Sequence, residues 1–140
     1  ITPVFMERIQ AVVDSALKHK LHIIINMHHH EALVADPAGQ KERFLSQWNQ
    51  IATHFQDYPD SLLFEVLNEP HGNISPAMWN DYFADALDVI RQTNPTRVVL
   101  LGVAEFGGLG GIVHLDLPED EYIILSPHYY NPFNFTHQGA

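Results

Sequence analysis

Leu62-Leu63-Phe64-Glu65-Val66-Leu67-Asn68-Glu69-Pro70 is the stretch on which the fold turns. Its apolar opening suits a buried strand, and its end delivers an amide, a carboxylate and a proline. Proline has no N–H to give to a strand ladder, so the strand is predicted to stop there with Glu69 at its rim. A carboxyl group held in a concave mouth can work as a proton donor and acceptor if burial or a like charge raises its pKa. A polar turn leaving a strand would look the same, and spacing alone does not separate the two. Glu65 shares the Glu69 face by strand alternation unless the backbone bulges. Its mid-strand position suits a structural carboxylate with a buried hydrogen-bond partner.

Outward from this strand, helices and strands alternate. Towards the N-terminus, Phe44, Leu45, Trp48, Ile51, Ala52 and Phe55 recur at helical spacing, and Tyr58-Pro59-Asp60 ends that helix. Before it come a loop through Asp36-Pro37-Ala38-Gly39 and the isoleucine-rich run Leu21 to Met27, which reads as a strand buried on both faces. Thr2-Pro3 starts the first helix with a capping hydroxyl and a proline. Phe5, Ile9, Val12, Val13, Ala16 and Leu17 give it one buried stripe.

Towards the C-terminus, Ser75-Pro76 opens a third helix with the stripe Trp79, Tyr82, Phe83, Ala86, Leu87 and Ile90, closed by Asn94-Pro95. Strands over Val98 to Leu101 and Tyr122 to Leu125 flank a glycine-rich segment with a short helical turn. This order predicts an α/β fold with right-handed crossovers and a parallel sheet. An open doubly wound sheet and half of a (β/α)8 barrel both fit. The barrel is favoured because every strand ends in a polar cluster, and barrel active sites are built at that C-terminal rim.

The 140 residues are 46% hydrophobic and 17% charged, a globular composition. A formal charge of −10 argues against nucleic acid or an anionic membrane surface as partner. No apolar run approaches the roughly 18 residues of a membrane span. Without cysteine there are no disulfides and no cysteine zinc sites. The chain opens at Ile1 almost directly in a helix and closes in an aromatic-rich loop, so residues 1–140 are expected to be one partial catalytic domain, truncated at both ends.

The rim clusters carry the chemistry. His28 and His30 share a face at a strand end, the pattern of a metal pair, with His71 or His128 needed as a third ligand. The same imidazoles also suit contact with substrate or with a carboxylate, and a solvated strand end is the plainest alternative. His128 and Tyr130 again lie two apart and offer two hydrogen-bonding groups to one cavity, beside Tyr129, Phe133 and Phe135. Glu105 in Ala104-Glu105-Phe106-Gly107-Gly108 is a possible second carboxylate.

Taken together, three stretches resemble glycoside hydrolase family 5, the cellulase-type barrels: Ile25-Asn26-Met27-His28-His29, Phe64 to Pro70, and His128-Tyr129-Tyr130-Asn131-Pro132-Phe133-Asn134-Phe135-Thr136-His137-Gln138-Gly139-Ala140. Asn94-Pro95-Thr96-Arg97 matches as well. The resemblance implies a (β/α)8 barrel of which this chain holds strands three to six. It implies that Glu69 is the general acid/base and that Asn68 bonds the sugar 2-hydroxyl. It makes His28 and His29 cleft residues, and His128 and Tyr130 the pair touching substrate and the nucleophilic carboxylate. The reaction implied is retaining hydrolysis of β-1,4-glucan by two carboxyl groups about 5 Å apart. No metal or cofactor is implied, the complete enzyme is expected to be a monomer, and secretion is expected from the likeness alone.

The family's nucleophile is a glutamate on strand seven, beyond Ala140, and its second-strand arginine would precede Ile1. Glu105-Phe106-Gly107 imitates the nucleophile's setting but precedes His128, so chain order makes it a decoy. Phe106 stands where the family often has a tryptophan platform. Two alternatives stay open: a metal-dependent barrel hydrolase using His28 and His30, and a non-catalytic carbohydrate-binding protein.

Overall fold

In the computed structural model, which describes residues 1–139, the order is α1 (Pro3–Lys18), β1 (Ile23–Asn26), α2 (Glu31–Ala35), α3 (Pro37–His54), β2 (Leu62–Glu65), α4 (Pro76–Arg91), β3 (Val99–Gly102), a 3₁₀ helix (Leu109–His114), β4 (Ile123–Ser126) and α5 (Phe133–Thr136). Ala140, the last residue of the family-like stretch, lies outside the described residues. The four strands pair in chain order, all parallel, as the alternation of helices and strands requires.

Register separates the two sheet faces. Ile25 pairs with Phe64, Phe64 with Val99, and Val99 with Ile123, and this face carries the helices. Phe44, Trp48, Ile51, Ala52 and Phe55 of α3 and its C-cap are all buried against it. So is the whole predicted stripe of α4, from Trp79 to Ile90. Two indoles reach past this packing to the backbone: Trp48 Nε1 donates to the Val66 carbonyl at 3.0 Å, and Trp79 Nε1 to the Gly102 carbonyl at 2.8 Å. Each pins a helix to the C-terminal end of a strand, where the polar clusters lie.

The concave face is different. Asn26 pairs with Glu65, and Glu65 carboxyl oxygens accept from Asn26 Nδ2 and Ser126 Oγ, both at 3.1 Å. Glu65 is 7% exposed and ties β2 to β1 and β4, the structural role expected of it, although it closes β2 and does not lie mid-strand, the strand stopping before Asn68-Glu69-Pro70. On the same face Ile24 is 48% and Ile124 50% exposed. The strand expected to be buried on both faces is therefore covered on one only, because no element among the described residues faces the concave side.

Other expectations shift for local reasons. In α1 only Met6 and Val13 are buried, while Phe5 and Val12 of the predicted stripe are exposed. α1 packs loosely on β1, is tied to the end of α3 and the turn after it by His54 to Gln10 and Tyr58 to Asp14 hydrogen bonds, and leaves a groove of about 550 Å³ beside β1. Thr2 occupies the cap position without a side-chain bond. The segment read as a loop through Gly39 begins α3 instead: Asp36 Oδ1 accepts the Gly39 N–H at 3.0 Å and Pro37 is the first helical residue. Asp-Pro is a start signal here, and the proline N–H is not missed at that position.

Candidate active site

β2 ends at Glu65, and the chain continues through a short irregular path in which Asn68 N–H donates to the Met27 carbonyl at 3.0 Å. That bond ties the Asn68-Glu69 rim to the end of β1. Glu69 itself has φ 46°, a left-handed conformation that L-residues rarely hold without support. Support comes from His71, whose Nδ1–H donates to the Glu69 carbonyl. This geometry turns the Glu69 side chain towards the end of β4.

There the Glu69 carboxylate meets both members of the predicted pair. His128 Nδ1 donates to Oε1 at 2.7 Å and Tyr130 hydroxyl donates to the same oxygen at 3.0 Å. His128 and Glu69 side chains are 25% and 24% exposed, so the pair is sheltered but open to a ligand. Pro127 falls just after β4, so its missing N–H breaks no ladder. His128 N–H then donates to the Gly107 carbonyl at 2.7 Å and fixes the imidazole against the neighbouring β3 loop.

Burial pushes the Glu69 carboxyl up, but the hydrogen bonds from His128 and Tyr130, with the charges of His128 and His28, outweigh it and hold the carboxyl below its ordinary value. A donor to the charged form favours ionisation, which is the opposite of the burial-raised carboxyl expected from the sequence. Reciprocally, the bond to Glu69, its charge and burial raise the Tyr130 phenol.

His28 and His29 stand exposed at the end of β1, ring edge to ring face at 4.6 Å. His28 is near enough to act on the charge of Glu69. Asn68 is half-buried beside Glu69, and among the described residues nothing takes its side-chain amide. His30 does not join this group. Its Nδ1 accepts the Leu33 N–H at 3.1 Å as the cap of α2, and Nε2 bonds Gln47 Oε1 at 3.0 Å. With both nitrogens occupied, the His28/His30 metal pair has lost one ligand. Among the described residues no three His, Asp or Glu side chains gather as a metal-binding group.

Glu105 is exposed on the turn after β3, and its side chain bonds to none of these groups. Tyr129, Phe133 and Phe135 are exposed along the rim past β4, where Phe133 stacks on His137 at 4.0 Å. Sequence reasoning missed the Asn26–Glu65–Ser126 link, for which an asparagine closing an isoleucine strand was the available signal. It also missed that His71 and the Glu105–Gly107 turn touch the Glu69 segment.

Parallel strands alternating with helices, with a carboxylate, imidazoles and a phenol collected at the C-terminal rim, have the arrangement of a sector of an α/β barrel. The chain belongs to glycosyl hydrolase family 5: the family model described as Cellulase (glycosyl hydrolase family 5) matches residues 1–140. Endoglucanase H of Acetivibrio thermocellus is 40% identical over 138 residues, which cover 99% of this chain and 15% of that protein. Endoglucanase B of Ruminococcus albus is 31% identical, covering 97% of this chain and 38% of its own length. The crystal structure of endoglucanase Cel5A from the hyperthermophilic Thermotoga maritima superposes with a TM-score of 0.97 at 47% identity, over 100% of this chain and 46% of that one. Further structures of that enzyme hold cellobiose and mannotriose. The chain thus spans less than half the length of each of these relatives, and its four strands form part of their barrel.

Proposed function

We propose that this chain carries the acid/base side of a retaining endo-β-1,4-glucanase active site, with Glu69 as the general acid/base. The observation that supports this most is the convergence of His128 and Tyr130 on one oxygen of a rim carboxylate held in a left-handed backbone. The second oxygen of Glu69 makes no hydrogen bond to a described residue, so it is free to meet a glycosidic oxygen.

The proton enters at Glu69. As general acid it gives a proton to the leaving sugar oxygen, while a nucleophilic carboxylate attacks the anomeric carbon from the other face. As general base it then takes a proton from the water that hydrolyses the glycosyl-enzyme. The nucleophile is assigned to a glutamate outside the chain. Its negative charge, about 5 Å away in a retaining site, opposes ionisation of Glu69 and offsets the pull of His128 and Tyr130. His28, His29 and Asn68 line the approach to Glu69 and are assigned to substrate hydroxyls, together with the free faces of His128 and Tyr130. Cellobiose and mannotriose bound to a close relative support a β-linked oligosaccharide as the occupant.

In the complete enzyme, Glu69→Gln is expected to lower kcat on cello-oligosaccharides by about 10²–10⁴-fold, the usual contribution of a positioned acid/base group. An aryl cellobioside with a good leaving group needs no acid and should keep its first step. Unchanged turnover of the natural substrate would remove Glu69 from the role.

A further inference from the structure

The loop after β3 holds three consecutive residues in the left-handed region: Glu105 at φ 61°, Phe106 at φ 61° and Gly107 at φ 76°. Two non-glycine residues there, one of them bulky, form an arrangement that persists only where the surroundings impose it. The turn closes on itself through Gly107 N–H to the Val103 carbonyl at 3.0 Å and Gly108 N–H to the Glu105 carbonyl at 3.3 Å.

Its outward contacts run to both partners of the Glu69–His128 hydrogen bond. On one side Phe106 N–H donates to the Pro70 carbonyl at 3.3 Å. The Phe106 ring stacks on His71, centroids 4.4 Å apart and planes 18° from parallel, and His71 holds the Glu69 carbonyl. On the other side the Gly107 carbonyl takes the His128 N–H at 2.7 Å. A Cβ on Gly107 would lie 2.8 Å from His128 Cγ and 3.1 Å from its Nδ1. Glycine is therefore required twice here, for its φ and for the imidazole seated against it.

We propose that the Glu105–Gly107 turn is a positioning element for the acid/base, setting the distance between the Glu69 carboxylate and the His128 imidazole, with Gly107 as its decisive residue. The inference rests on the acid/base reading of Glu69. It gives the glutamate-phenylalanine-glycine sequence a place in the site without making Glu105 a reacting group. Phe106 and His71 act through the Glu69 backbone and Gly107 through the His128 ring.

The test uses the complete enzyme with Gly107→Ala, and Gly110→Ala as its control, since a Cβ on Gly110 meets nothing within 4 Å. Displacing the His128 ring weakens its bond to Glu69 and leaves burial less opposed. The groups facing Glu69 are then His28 from the end of β1, His71 from its own segment, and Tyr130 with a displaced His128 from the end of β4. Gly107→Ala is expected to lower kcat tenfold or more with KM within about twofold, and to move the basic limb of the kcat/KM profile to higher pH. A loss of folded enzyme would scale the profile without moving it.

Should Gly107→Ala not fold, Phe106→Ala should lower kcat and Phe106→Tyr, which keeps the stack on His71 and leaves its bond to the Glu69 carbonyl intact, should recover most of it. Gly107→Ala with the kcat and pH profile of Gly110→Ala would overturn the proposal, as would indistinguishable Phe106→Ala and Phe106→Tyr. If Glu69→Gln is inactive in that case, the turn has failed and the acid/base reading stands. If Glu69→Gln turns over normally, the reading itself has failed.

Discussion

At Glu69 the chemistry is a contest between burial and hydrogen bonding. Burial raises the carboxyl, and the donors His128 and Tyr130 overcome it. Removing a donor must therefore raise the Glu69 pKa. A general acid works only while protonated, so the basic limb of kcat/KM moves up when its pKa rises. Tyr130→Phe deletes the hydroxyl 3.0 Å from Glu69 Oε1 and is expected to shift that limb to higher pH, read from a pH–rate profile on a cello-oligosaccharide, whose poor leaving group needs the acid. A limb that stays or moves down would show that the phenol does not act on this carboxyl. Part of the site was legible from residue order alone, because Asn68-Glu69-Pro70 and His128-x-Tyr130 each follow an apolar strand at its C-terminal end, although β2 stops at Glu65 and β4 at Ser126. The left-handed backbone of Glu69, Glu105 and Phe106 was not legible, since nothing in those residue types favours positive φ.

Elements are held in place by the hydrogen bonds of two arginines, Arg97 buried and Arg91 half-buried, as well as by apolar packing. Arg97, 4% exposed, donates to the carbonyls of Phe55, Tyr58, Pro59 and Leu62 and to Asn94 Oδ1, fastening the end of α3 to the start of β2. Lysine has one point charge and fewer donors, and cannot reproduce this fan. Arg97→Lys is expected to destabilise the fold by about 3 kcal/mol, from several charge-assisted bonds lost and carbonyls left unpaired, measured by urea unfolding. Arg91 makes the corresponding clamp at β4, a two-pronged pair with Asp120 at 2.7 and 3.0 Å. The bond from Arg91 holds the Asp120 carboxyl below its usual range against burial, with help from the Tyr122 N–H. A depressed folded pKa adds stability above the unfolded value, and that stability is lost as pH falls through the folded one. Asp120→Asn should therefore flatten the acid side of the stability profile, seen as melting temperature against pH. A profile as steep as that of the unchanged protein would contradict the clamp. The stripes of α3 and α4 were fully legible because each helix is covered on its apolar side. Phe5 and Val12, two of the six α1 stripe residues, are exposed because periodicity reports an apolar face without reporting what covers it.

The molecule as a whole presents a sheet finished on one side. Helices bury the convex face, while Ile24 and Ile124 of the concave face and Phe5 and Val12 of α1 remain open to water. Among the described residues the outer edges of β1 and β4 pair with no further strand, which adds to this surface. Residues 1–140 expressed alone are expected to associate with rising concentration in sedimentation velocity and to release no reducing sugar from carboxymethylcellulose. Hydrolysis by that chain alone would restore Glu105 as a reacting carboxylate. The helix–strand order made the parallel sheet legible, but periodicity alone could not choose a barrel over an open sheet, since both place the same residues in each strand. The barrel enters through the rim, where residues from four strand ends gather around one carboxylate, and the acid/base role rests on that carboxylate. It is tested most directly by giving Glu69→Ala of the complete enzyme an aryl β-cellobioside and azide, and determining the product's configuration by proton NMR. With Glu69 as the acid/base of a retaining site, turnover is expected to rise and the product to be β-cellobiosyl azide, because azide needs no base and attacks a covalent intermediate from the face Glu69 has vacated. No azide product, or the α anomer, would contradict it.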